Sequence, residues 1–228
     1  MRSATGGART LDVLDAAADS PAGGLRAIGR YREEALAIAR AERLGRVRTN
    51  FAIVPLEAPA AGTLRAGGEA FDAPRLLPAS GRLTALAFGV CTLGDALEQR
   101  VKDLFAQRRI SLAVALDTLG NRILLEAARR LQDRVLFAAG KAGLSVAGEL
   151  RPGDPGLALA AQPAVLRLAG AALIGVAVTG SLALTPLKSA SMVFGAGVDL
   201  PPALWSRCDD CRSRPGCRTA PARAAASA

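Results

Sequence analysis

The run IGVAVTGSLALTPLKSASMVFGAG, residues 174–197, opens on the β-branched positions Ile174, Val176 and Val178 and breaks at Thr179-Gly180-Ser181. It then passes Thr185-Pro186 and returns to an apolar run at Met192-Val193-Phe194. Apolar β-branched runs separated by Gly, Ser and Pro predict strand, loop, strand. The loop carries one cation, Lys188, beside the hydroxyls of Ser189 and Ser191. A plain connection has no need of that chemistry, so the loop reads as part of a site.

Upstream, residues 83–90 (LTALAFGV) predict a buried strand ending at Cys91-Thr92-Leu93-Gly94. An amphipathic helix follows over 95–107, with Leu97, Val101 and Leu104 inward. A long helix is predicted over 111–139, with Ser111 as its N-cap. Leu112, Leu116, Leu119 and Ile123 share one face, and Gly120 interrupts the helix at a cost that close packing would explain. Glu126 falls beside that apolar stripe. It either pairs with Arg130 one turn on or holds a buried backbone group or a ligand amine.

The N-terminal half adds a helix over 25–44, a strand over 51–56 and a Gly-rich hairpin over 63–71. Residues 1–22 read as a leader with one helical turn near 11–14. Beyond the long helix comes a strand over 145–150 and then Arg151-Pro152-Gly153-Asp154-Pro155-Gly156. Two prolines and two glycines in six residues make a rigid turn, and backbone N–H groups beside an Arg suit an anionic ligand group. A structural turn without a ligand is the other reading. Residues 157–171 form a helix candidate in which Pro163 falls near the start.

The 228 residues fit one domain with tails. The formal charge of +9 favours acidic partners, although the basic residues are nearly all arginine and reflect Ala/Arg/Gly-rich usage. Histidine is absent, which removes Ser-His-Asp and Cys-His catalysis and His-ligated zinc. Aromatic residues make up only 4%, which argues against base stacking on single-stranded nucleic acid. The N-terminus has no secretory pattern, so a cytoplasmic protein is expected. The uncharged run 168–187 is broken by Gly170, Gly175, Gly180 and Pro186 and reads as a buried strand with its approach, not a membrane span.

Cys208-x2-Cys211-x5-Cys217 stands in a polar context near the C-terminus. Such close spacing in a reducing compartment favours metal or redox chemistry over a disulfide, and soft thiolates suit zinc or an iron–sulfur cluster. Three ligands fall one short of the usual set. Cys91 could complete it, or could be a small buried apolar residue.

The order T-x-S-x-x-x-T-P-x-x-S-x-S at Thr179, Ser181, Thr185, Pro186, Ser189 and Ser191 resembles the activation domain of cobalamin-dependent methionine synthase. The form with Lys188 is closer to small stand-alone relatives of that domain. FGVCTLGDALE, Asp117-x-x-Gly120-x5-Glu126, the Arg151 turn (an R-x-x-P-G-Y loop in the family) and the cysteine tail resemble the same relatives, so the likeness covers roughly 83–218.

The resemblance implies an α+β fold, a mainly antiparallel twisted sheet covered by helices including one long helix, in a domain over 23–205 followed by a cysteine-containing basic tail, 206–228. It implies an accessory role in the reductive activation, or remethylation, of a corrinoid methyltransferase, with S-adenosylmethionine as ligand. Cobalamin would be carried by a partner protein, and an electron donor would be needed. Arg151, Gly153, Asp154, Gly156 and Glu126 would face S-adenosylmethionine, and Lys188, Ser189 and Ser191 would line the corrinoid-facing surface. Two departures favour an alternative. The family's Tyr after Pro-Gly is replaced by Asp154 or Leu157, and Gly180 stands where the full-length enzyme has Glu. The alternatives are a non-catalytic corrinoid-protein docking module that has lost the ligand, or a cysteine-ligated iron–sulfur or zinc protein.

Overall fold

The computed structural model describes residues 4–19, 31–60 and 62–203. Its centre is an antiparallel sheet in which β3 (Arg46–Pro55), β6 (Arg82–Thr92), β10 (Ser189–Val198) and β7 (Ser145–Leu150) are neighbours in that order. Two short strands, β1 (Ala4–Thr5) and β2 (Arg9–Asp12), both pair with β3 and close its outer side. The chain is therefore an α+β domain.

Side chains on successive strand positions point to opposite faces, and the core divides accordingly. Phe51, Ile53, Ala85, Ala87, Cys91, Met192 and Phe194 lie in one buried cluster. That face is covered by α1 (Leu14–Asp19), α2 (Arg32–Ala41), α3 (Ala96–Ala106) and α4 (Ile110–Lys141). Leu86, Phe88, Val90 and Val193 face the other way. They pack under α5 (Gln162–Leu168), the hairpin of β4 (Leu64–Ala66) and β5 (Glu69–Phe71), and short 3₁₀ turns. A last small hairpin, β8 (Ala177–Val178) with β9 (Leu184–Thr185), leads into β10.

Helix α4 organises the first layer. At 32 residues it is about 48 Å long. Leu112, Leu116, Ile123, Ala127, Leu131, Val135 and Ala139 keep one face buried along it, the spacing a helix stripe requires. Small residues on β6 let it sit close. A Cβ at Gly89 would lie 3.1 Å from Leu131 Cδ2. Gly120 likewise makes room, since a Cβ there would meet Leu97 Cδ2 at 2.8 Å, which is the close packing that its position inside a helix suggested.

Several expectations change. Within the span expected as a leader, the described residues 4–19 form β1, β2 and α1 and join the domain, with Val13, Leu14, Ala17 and Ala18 buried in its core. Strand β3 starts at Arg46, five residues before the expected 51. Ser111 is not the N-cap of α4, which starts at Ile110 behind Arg109 without a side-chain cap. The strand expected to begin at Ile174 is reduced to Ala177–Val178, preceded by a 3₁₀ turn at Ala171–Ile174. Gly170 and Gly175 bracket that turn with φ of +66° and +69°, and the chain cannot remain extended through them. The helix expected over 157–171 is confined to Gln162–Leu168, with Pro163 in its first turn. The strand over 145–150 and the hairpin within 63–71 stand as expected. Among the described residues no helix is long and apolar enough to cross a membrane.

Candidate functional site

Arg151 leaves the end of β7. Leu150 faces the second layer, so Glu149 and Arg151 share the opposite, helix-covered side. Arg151 Nε donates to Glu149 Oε1 at 3.1 Å, and both side chains are about one-fifth exposed. The guanidinium's terminal nitrogens have no hydrogen bond to a described residue. Glu149 was missed in the sequence, although its position two residues before Arg151 in a strand was the signal.

The turn that follows braces itself. Asp154 Oδ2 accepts the Arg151 N–H at 2.9 Å, and the Asp154 N–H donates back to the Arg151 carbonyl at 2.8 Å. Gly153 donates to Leu157 O, and Leu157 donates to Asp154 O. Most backbone donors expected to await an anion are thus used inside the turn. The Gly156 N–H has no acceptor among the described residues. Gly153 and Gly156 hold φ of +96° and +95°, where a side chain is strained.

Glu126 turns to its own helix. Its oxygens lie 2.9 Å from Arg130 Nε and 3.8 Å from Arg129 Nη1, the i,i+4 and i,i+3 pairs of a helix surface.

The loop residues 188–191 do not converge on one surface. Lys188 is only 13% exposed, and its Nζ lies 2.8 Å from Asp117 Oδ1 and 2.6 Å from Asn121 Oδ1, both on α4. Its backbone N–H donates to Glu98 Oε1 of α3. The cation therefore clasps the loop onto the helical layer instead of facing outward. Ser189 and Ser191 are buried on the opposite face. Ser189 Oγ lies 2.6 Å from Pro186 O and 2.8 Å from Thr92 Oγ1. The Ser189 hydroxyl is the donor in both contacts, its one proton shared between the Pro186 carbonyl and Thr92 Oγ1. Ser191 Oγ accepts from Gln162 Nε2 at 2.7 Å.

Cys91 is wholly buried beneath the helices. Desolvation pushes its thiol up to about 12, a rise that Glu149 adds to and the Arg151 charge opposes. A thiol that keeps its proton is a core residue, not a ready metal ligand. Among the described residues no three His, Cys, Asp or Glu side chains gather to hold a metal. Cys208, Cys211 and Cys217 lie outside the described residues. The burial sets a pH dependence. The unfolded thiol ionises near its ordinary 9.0 while the folded one holds its proton, so the Cys91 contribution is flat below pH 9. Stability then falls as pH rises from 9 to 12. Urea unfolding at pH 8 and pH 10.5 (about one and a half units above the ordinary value) should show a decline that Cys91→Ala removes. Equal declines in both proteins would refute it.

A cleft of about 700 Å³ lined by Leu56, Glu57, Leu77, Pro78, Arg82 and Thr84 opens at the opposite end of the sheet. None of the candidate residues lines it.

The layered sheet with one long helix defines a class of α+β fold that solved structures share. No family model matches the chain, and no curated protein is similar to it. Among solved structures it is similar to the crystal structure of the MetH reactivation domain bound to AdoHcy, with a TM-score of 0.58 and 13% identity. The match covers 86% of this chain and 80% of that one. At this identity the likeness is one of fold.

Proposed function

We propose that this protein assists the reductive activation of a cobalamin-dependent methionine synthase or a related corrinoid methyltransferase, and that it holds S-adenosylmethionine at the Arg151 turn. The observation that carries this is Arg151 itself. It is oriented through Nε by Glu149, while its terminal nitrogens lack partners among the described residues, so a ligand carboxylate has a prepared fork. The structural neighbour, a reactivation domain, was solved with AdoHcy, which bears the same amino-acid moiety as S-adenosylmethionine.

S-adenosylmethionine supplies the methyl group, and the corrin belongs to the partner. This chain orients the ligand and shields the reacting groups from water. Arg151 would hold the carboxylate and the Gly156 N–H would add a donor. Lys188, through Asp117 and Glu98, fixes its own loop to the helical layer.

A second reading keeps the docking and drops the ligand. The internal bonding of the turn and the engagement of Glu126 by Arg129 and Arg130 favour it.

Calorimetric titration of S-adenosylmethionine and AdoHcy separates the two. Binding should be measurable in the native protein. Arg151→Ala, which deletes charge-assisted hydrogen bonds, should weaken it by roughly tenfold to a hundredfold. Silence of the native protein towards both ligands would leave the docking module as the better account.

A further inference from the structure

We infer that Arg48 forms a second anion site, on the face of the sheet away from Arg151, for a small organic phosphate or carboxylate with an apolar body. Thr49 beside it meets Arg134 of α4, so the Arg48 side chain is on the other face. Arg48 is exposed and makes no hydrogen bond or ion pair with a described residue, although most other arginines of the sheet and helices are engaged. Its guanidinium lies between two backbones. A Cβ at Gly94 would come 3.3 Å from Nη2, and one at Gly175 3.4 Å from Nη1. Both glycines hold left-handed φ, so neither position readily accepts a side chain that would crowd the fork.

A second observation lies on the same strand face. Asn50, about 7 Å along the strand, is 4% exposed, and its Oδ1 is buried without a hydrogen-bond partner among the described residues. Its Nδ2 is already spent on the carbonyls of Ala169 and Gly170. An orphaned buried acceptor costs free energy unless a water or a ligand donor reaches it. An oxyanion on Arg48 with a bridging water would serve both groups, since the water has a donor for Oδ1 and another for the anion. The apolar body follows from Leu173, 74% exposed on the turn that Gly175 ends, and Leu187, 69% exposed next to Lys188. Lys188 is tied to Leu93 beside Gly94 by a 2.9 Å backbone bond.

The test is an ¹⁵N–¹H titration of the full chain with phosphate, acetate and octanoate, ionic strength being held constant with chloride. Saturable shifts should concentrate on Gly94, Gly175 and the Arg48 Nε–H. Arg48→Gln should weaken binding by about tenfold or more, as expected for losing charge-assisted hydrogen bonds. Arg48→Lys, lacking the fork, should recover only part of it. Octanoate should bind about tenfold tighter than acetate as its chain covers Leu173 and Leu187. Shifts scattered over the basic surface, or unchanged in Arg48→Gln, would overturn the site, and equal affinities for acetate and octanoate would overturn the apolar part. Arg48→Gln should leave the S-adenosylmethionine titration at Arg151 unaltered, so either assignment can fail alone.

Discussion

Leu131→Ala should lower the unfolding free energy by about 3–5 kcal/mol, the upper part of the range for truncating a buried leucine. Leu131 is fully buried on α4 and sits against the bare backbone of Gly89, near the middle of β6. Its neighbours there belong to a rigid sheet strand that is buried on both faces, so the site cannot collapse to fill the space. The partner substitution gives a sharper check. Gly89→Ala alone should cost about 1 kcal/mol by overpacking, because its methyl would meet Leu131 Cδ2 at 3.1 Å and Met192 Cγ at 3.2 Å. In the Leu131→Ala background the same methyl enters vacated space, so the two effects should fall short of their sum by about 1 kcal/mol. Denaturant unfolding of the four proteins measures this. Strict additivity would mean that helix and strand are not in the contact described.

The features that local pattern reports were legible in the sequence. The stripe from Leu112 to Ile123 announced the long helix, and the LTALAFGV run announced the central strand, because burial on one or both faces writes itself into consecutive residues. What was missed depends on distant partners. Arg46, Arg48 and Asn50 interleave with Val47 and Thr49, so the first half of β3 looked polar until its pairing with β6 and β2 was known. Val13, Leu14, Ala17 and Ala18 signalled no more than a helical turn, expected near 11–14 and found as the helix Leu14–Asp19, yet they fill the core once α4 is in place. The candidate site shows the same division. Glu126 and Arg130 met as helix spacing requires. Lys188 turned to Asp117 and Asn121, 67 to 71 positions earlier in the chain, and no period in its own loop encodes that direction.

Arg134→Ala should cost about 2–4 kcal/mol, the sum expected for lost hydrogen bonds from a charged donor and a cation–π contact. The guanidinium crosses from α4 over the ring of Phe51, 5.2 Å from its centroid. It donates to the Thr49 hydroxyl and to the carbonyls of Gly6 at 2.9 Å and Gly7 at 3.0 Å. Burial lowers its pKa, with a smaller contribution from the charge of Arg9, yet an arginine remains a cation at neutral pH. Removing it strands the buried Thr49 hydroxyl and frees the segment joining β1 and β2 from the long helix. The loss should therefore be local before it is global. In hydrogen exchange, the Gly6 amide bonded to Phe51 O and the β2–β3 amides should lose protection at denaturant concentrations where β6 and β10 remain closed. Arg134→Lys keeps the charge over the ring but cannot span three acceptors, and it should recover less than half of the loss. Uniform loss of protection across the whole sheet would show that the arginine stabilises the domain at large and does not tie down its N-terminal strands.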